Sequence, residues 1–298
     1  VSVVSGKVIF CEGKTTSLDF RLLNRVVENL SSKTTIVPSG GKFTFSIFAQ
    51  GYFSNPVRTQ PYIVFRDRDF DVKPTANIRL LPLYSMLLTH RACVENYLLD
   101  AKLINDYWKA RYAEKLANPV SRWDHKDSPG IEEISAWIEE AAKSLQAYQS
   151  VRWALADLLD IPGVKSQLKT TWTGGSGNLP SSLALEYCQN ESVRLIHEFR
   201  NPVEQVTQER FETSLATYQQ QFEQEEFWTQ KHYLIWFHGK DIQKAMHRQR
   251  PQYISLKKDF FDWVLDQPDI HQYLLKLHPD LMQLQNEIER LGGRPIDP

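Results

Sequence analysis

Along the first hundred residues the apolar positions switch between continuous short runs and helical spacing, and this switching predicts alternating strands and helices. The run KVIF at 7–10 is β-branched and aromatic without interruption, as a strand covered on both faces requires. From Ser17, placed as an N-cap, Leu18, Leu22, Leu23, Val26, Val27 and Leu30 recur at helical spacing, so one helix face is expected to pack on a sheet. TTIV at 34–37, closed by Pro-Ser-Gly-Gly, reads as a second strand and PYIVF at 61–65 as a third; KFTFSIFAQGYF at 42–53 between them is compatible with a helix despite its β-formers. A βαβαβ order implies a parallel sheet. IRLLPLY at 78–84 predicts a further strand near an edge, because Pro82 has no donor for a central ladder.

Beyond residue 94 the period becomes helical almost throughout, with helices expected at 94–117, 131–159, 181–199, 209–231, 239–248, 256–266 and 280–290. The polar stretch TTWTGGSGNLPSS at 170–182 reads as a loop, and the glutamine- and glutamate-rich stretch around QQQFEQEEF as a solvated helix face. The expected fold class is therefore α/β: a mostly parallel sheet flanked by helices over residues 1–100, then a largely helical region over residues 101–298.

Composition narrows the picture. At 298 residues and 42% hydrophobic content the chain can build a sizeable core unaided. Cys11, Cys93 and Cys188 form no CxxC pair, which argues against a disulfide framework or structural zinc and suits a reducing cytoplasm, each cysteine serving as a small buried hydrophobe. The opening VSVVSGKVIF is too soon interrupted by Lys7 for a signal peptide, and no apolar run approaches a membrane span. With 35 basic and 36 acidic side chains, the net charge of −1 carries no overall basic excess, so any nucleic-acid site must come from local clustering. Neither a GxxxxGK[ST] phosphate loop, nor HExxH, nor GxSxG occurs.

Two acidic features follow predicted strands, at the edge where open parallel sheets present ligand sites. Glu12 and Gly13 follow KVIF. Arg66-Asp67-Arg68-Asp69-Phe70-Asp71 follows YIVF and sets three carboxylates at alternate positions. Hard oxygens at this density suit Mg²⁺, with Mn²⁺ as a substitute, since a cation offsets their mutual repulsion. The same spacing also suits a surface loop whose acids pair with Arg66 and Arg68.

CEGKTTSLDFRLLNRVV, PYIVFRDRDFD and HRACVENYLLD together resemble the Toprim nucleases related to the OLD (overcoming lysogenization defect) proteins, especially the small Toprim effectors of PARIS-type phage defence. The resemblance covers about the first hundred residues, with a fainter match at GKDI near 239–242. It implies that Glu12 is a metal-binding or acid–base glutamate, that Asp67 and Asp69 hold Mg²⁺, and that Asp71 is an accessory ligand. Many relatives of that type carry an aspartate soon after the EG, whereas here Lys14, Thr15, Thr16 and Ser17 precede Asp19, which leaves the number of metals open. Glu95, at the start of a predicted helix, is a further ligand or an orienting group; the helix dipole alone also accounts for a glutamate there.

The segment KHYLIWFHGKDIQKAMHRQR at 231–250 carries five Lys or Arg against one acid, interleaved with Tyr233, Trp236 and Phe237. It suits a phosphate backbone; equally, aromatics at this spacing suit a core and the charges a solvated face. Lys240 is the cation expected to offset charge on a scissile phosphate, with Lys14, Arg68 and Lys244 as further substrate contacts. The expected function is a Mg²⁺-dependent endonuclease acting on DNA or RNA, tRNA included, as a regulated anti-phage effector. A separate ATPase or sensor subunit would supply the missing nucleotide chemistry, a homodimer is compatible with the sequence, and the 170–182 loop is a candidate gate. Two alternatives stand beside it: a non-catalytic regulatory Toprim subunit bound to an ATPase, and a helical scaffold without catalysis.

Overall fold

Val8, Ile9 and Phe10 lie fully buried in the central strand, β1 (Lys7–Cys11), the one that neighbours on both sides must cover. The computed structural model describes residues 6–30, 33–41, 61–83, 86–118, 120–161, 170–174, 177–200 and 205–291. Among them β1 pairs in parallel with β2 (Thr34–Pro38) on one side and β3 (Tyr62–Arg66) on the other, with Phe10 level with Val37 and Val64. β5 (Met86–Leu88) extends the sheet in parallel from β3, and β4 (Leu81–Leu83) closes it antiparallel, giving the order β2-β1-β3-β5-β4. Pro82 is exposed on this edge strand, where its missing donor costs nothing. The chain is thus α/β with a mostly parallel five-stranded sheet among the described residues. The helix expected at 42–53 lies outside them.

The strands, the helix after β1 and the end of the chain form one compact unit: the described residues up to Arg68, Pro74–Leu98, and those from Lys258 onward. In this unit Val8, Phe10 and Val64 gather on one face of the sheet with Val37, Tyr62 and Met86. Ile9, Ile63 and Phe65 alternate to the other face by the pleat. Helix α1 (Leu18–Val27) starts where Ser17 Oγ accepts from the Phe20 amide and buries Leu22, Leu23 and Val26. Three later helices, numbered α10 (Lys258–Leu265), α11 (Ile270–Leu277) and α12 (Pro279–Arg290) in chain order, pack on it. Arg21 pairs with Asp262 and Asp266, and Gln285 donates to the Val26 carbonyl at 3.1 Å. A single division near residue 100 therefore misses the return of these helices, whose partners lie some 240 residues earlier.

The second unit comprises Asp69–Lys73 and Leu99–Lys257 and is helical. It holds α2 (Ala101–Ala117), α3 (Ile131–Ser144), α4 (Gln146–Leu159), α5 (Leu185–Arg200), α6 (Gln208–Glu223), α7 (Glu225–Thr229), α8 (Tyr233–Trp236) and α9 (Gly239–Gln249). Several long helices that the sequence pattern predicts are broken into shorter ones, while the helix expected at 239–248 runs Gly239–Gln249. The expected 94–117 element is a 3₁₀ turn, Val94–Tyr97, followed by α2, because Asp100 caps a fresh start by accepting from the Leu103 amide. The expected 131–159 helix is interrupted at Leu145, between α3 and α4. The aromatic residues of 231–250 prove to be core: Tyr233 and Phe237 are buried, and Trp236 packs against Trp153, Tyr218 and Phe222. No described helix is long and apolar enough to cross a membrane.

Candidate metal centre

Where β3 ends, Asp67 leaves the sheet buried, and its Oδ1 accepts the Val94 amide at 2.8 Å. The segment 89–97 is laid along this strand end by reciprocal contacts. Thr89 N donates to the Arg66 carbonyl at 3.1 Å, Arg68 N donates to Thr89 Oγ1 at 3.0 Å, and Thr89 Oγ1 donates to the Arg91 carbonyl at 2.7 Å. This bonding brings Cys93 and Glu95 beside Asp67, so that one ligand atom of each lies within 4.8 Å of the others, all three buried. Among the described residues this is the group of acids, cysteines and histidines able to share an ion, and it sits at the carboxyl edge of a parallel sheet.

The donor set is two carboxylates and a thiol. Gathering two carboxylates in a dry site costs free energy that a divalent cation offsets. Cys93 Sγ donates to Asn96 Oδ1 at 3.0 Å, and Cys93 N donates to the same oxygen at 3.2 Å, so the Asn96 side chain reaches back over the start of the 3₁₀ turn. Asp67 and Glu95 supply the two carboxylate oxygens of the group. Residues of this kind fit an oxygen-preferring divalent ion.

The other expected site residues are placed differently. Glu12 directly follows β1 on the same edge as Asp67, with its Oε1 3.4 Å from Arg66 Nε, and it lies outside the Asp67–Cys93–Glu95 group. Its loop is shaped by Gly13, which pairs both backbone groups with Gly40 at 2.7 and 2.9 Å. Asp69 belongs to the second unit and not to the group: it adopts φ 51°, and its Oδ1 meets His238 Nε2 at 3.1 Å. Asp71, half-buried in the second unit, also lies outside the group. Arg68 is no surface cation, since it is fully buried with Nε donating to the His90 carbonyl at 3.2 Å. Lys14 and Lys244 are exposed, whereas Lys240 is half-buried in the first turn of α9.

Two features of the centre went unread in the sequence. Cys93 stands two residues before Glu95, and that spacing was its only signal. Asp280 had none, being 183 residues from Tyr97, whose hydroxyl donates to it; Asp280 Oδ2 also accepts from His90 N at 3.2 Å. Burial raises the Asp280 carboxyl above its usual range and raises Tyr97 well above an ordinary phenol, the neighbouring Asp280 adding to the latter. Burial, with Arg91 nearby, pushes His278 down to about 3. Cys11, behind Glu12, is pushed up to about 12, mainly by burial and further by Asp19 and Glu12. No protein-family model matches the chain, and no curated protein matches it.

Proposed function

We propose that the chain is a divalent-metal-dependent phosphodiester hydrolase acting on nucleic acid, a Toprim-type nuclease in the sense of the resemblance described above. The observation that carries this reading is the burial of Asp67 and Glu95, 28 positions apart in sequence, within 4.8 Å of each other at the carboxyl edge of the sheet. Asp67 and Glu95 would hold Mg²⁺ or Mn²⁺. A cation there supplies Lewis-acid stabilisation of a phosphoryl oxygen. Glu12, on the same edge and beside Arg66, would orient or deprotonate a water. Arg66, itself buried, would steady Glu12 by charge attraction. Lys14, exposed two residues after Glu12 in the same unit, would be a cation offered to a phosphate. By the same resemblance the activity belongs to a regulated defence effector with a separate ATPase or sensor.

The test is cleavage of plasmid, single-stranded DNA and tRNA by the purified chain with Mg²⁺ or Mn²⁺, together with Mn²⁺ binding followed by electron paramagnetic resonance. Wild type should bind Mn²⁺ and cut at least one substrate, and Asp67→Asn or Glu95→Gln should abolish both properties. Binding without cutting, with or without an ATPase present, would instead favour the regulatory Toprim subunit. A wild type that binds no divalent ion overturns the proposal.

A further inference from the structure

Asp280 is the second residue of α12 and is 1% exposed. A buried carboxylate is costly, and here the cost is met by hydrogen bonds from one short segment together with the favourable position in a helix first turn. That segment is 90–97. Its first residue donates through the His90 amide, and its last through the Tyr97 hydroxyl. His278, just before α12, adds a second grip: its Nε2 donates to the Tyr97 carbonyl at 3.1 Å, and its ring meets the Tyr97 ring edge-on with centroids 4.9 Å apart. Arg91 completes the frame by donating to the Asn96 carbonyl at 2.8 Å.

Between the two points held by Asp280 lie Cys93, just before a 3₁₀ turn of only four residues, and Glu95, on that turn. So short a turn has little rigidity of its own, and its orientation is set by what holds its ends. The Asp67 bond to Val94 N fixes one side; residues 278–280 fix the other. We propose that Asp280 is a positioning residue, which acts through the Tyr97 hydroxyl and the His90 amide to aim Glu95 at the ion shared with Asp67. The inference rests on the metal-dependent reading and adds to it a role for the C-terminal helices: they deliver the support under a metal ligand. Hydrogen-bonded supports of this kind behind a ligand commonly change metal affinity by ~10–100-fold when removed.

The experiment compares full-length wild type with Tyr97→Phe, Asp280→Ala and Asp280→Asn, each checked for fold by circular dichroism and thermal melting, with the Mn²⁺ dissociation constant as readout. Asparagine keeps an acceptor of the same shape, so Asp280→Asn should stay within about threefold of wild type, whereas Tyr97→Phe and Asp280→Ala should weaken Mn²⁺ binding by roughly tenfold or more. If Asp280→Ala fails to fold, Tyr97→Phe, which removes one oxygen from the core, decides. Folded variants that bind Mn²⁺ like wild type overturn the positioning role and leave the metal site standing. A wild type that binds no Mn²⁺ overturns the metal site, and the positioning role with it.

Discussion

At Gly13 the backbone takes φ +84°, and a Cβ placed there would lie 2.5 Å from both Cβ and Oγ of Ser17. Glycine is therefore the residue that lets the chain leave Glu12 and reach the Ser17 cap of α1 in so few steps. Gly13→Ala should cost roughly 2 kcal/mol or more, from the left-handed conformation together with the clash. A urea midpoint unchanged from wild type would contradict this. Cys93 supports a second prediction. Since its thiol donates to Asn96, Cys93→Ser should retain Mn²⁺ affinity within about threefold, far from the loss expected for a true ligand. Co²⁺ bound to wild type should show no thiolate-to-metal charge-transfer band in the near ultraviolet; an intense band removed by Cys93→Ser would make Cys93 a ligand. The Glu12 and Asp67 pattern was legible because both follow strand residues directly. The burial of Arg68 was not, because an alternating Arg-Asp run gives no hint which cation turns inward.

Among elements, α4 and α9 show how the second unit is tied. Asp241 is fully buried on α9; its Oδ2 accepts from Arg152 at 2.5 Å and from Gln149 Nε2 at 2.9 Å, both on α4, while Oδ1 accepts the Gly177 amide at 2.9 Å. The Arg152 guanidinium also lies 4.0 Å over the Phe70 ring. Asp241→Ala removes a buried charge partner of Arg152 and should cost about 3–5 kcal/mol in a thermal or urea melt. Joint replacement, Asp241→Leu with Arg152→Met, should recover most of that loss, and failure to recover would mean that packing rather than charge compensation holds the pair. The sequence predicted a helix at 239–248 and a loop at 170–182, and it assigned Lys240 rather than Asp241 the leading part. An acid inside a basic run reads as incidental until its buried partner is known.

At the scale of the whole molecule, pH acts through His278. Its folded pKa, about 3, lies below the ordinary histidine value of 6.5, so below pH 6.5 the unfolded chain takes up a proton that the native state refuses. Stability from this group is intact above about 6.5 and falls by roughly 1.4 kcal/mol per pH unit down to about 3, where the native form also protonates. Asp280 works in the opposite sense: its carboxyl is raised, so lowering the pH through its folded pKa relieves the cost of burying a charge. His278→Gln should flatten the loss of stability between pH 6 and 4, measured as urea midpoints across that range. A slope equal to that of wild type would assign acid sensitivity to other groups.

The alternation of short β runs with an amphipathic helix determined the α/β class and the parallel pairing of β1 with its neighbours, because burial on both faces and one apolar helix stripe are periodic properties that any reading of the chain exposes. The same periodicity located the two acidic loops at strand ends. Tertiary structure alone decided which acids converge: Asp67 with Glu95 and Cys93, Glu12 toward Arg66, and Asp69 toward His238. It also returned the last helices to the first unit, where Asp280 accepts hydrogen bonds from both ends of the 90–97 segment. Side-chain convergence depends on contacts between residues far apart along the chain, and local spacing carries no record of such contacts.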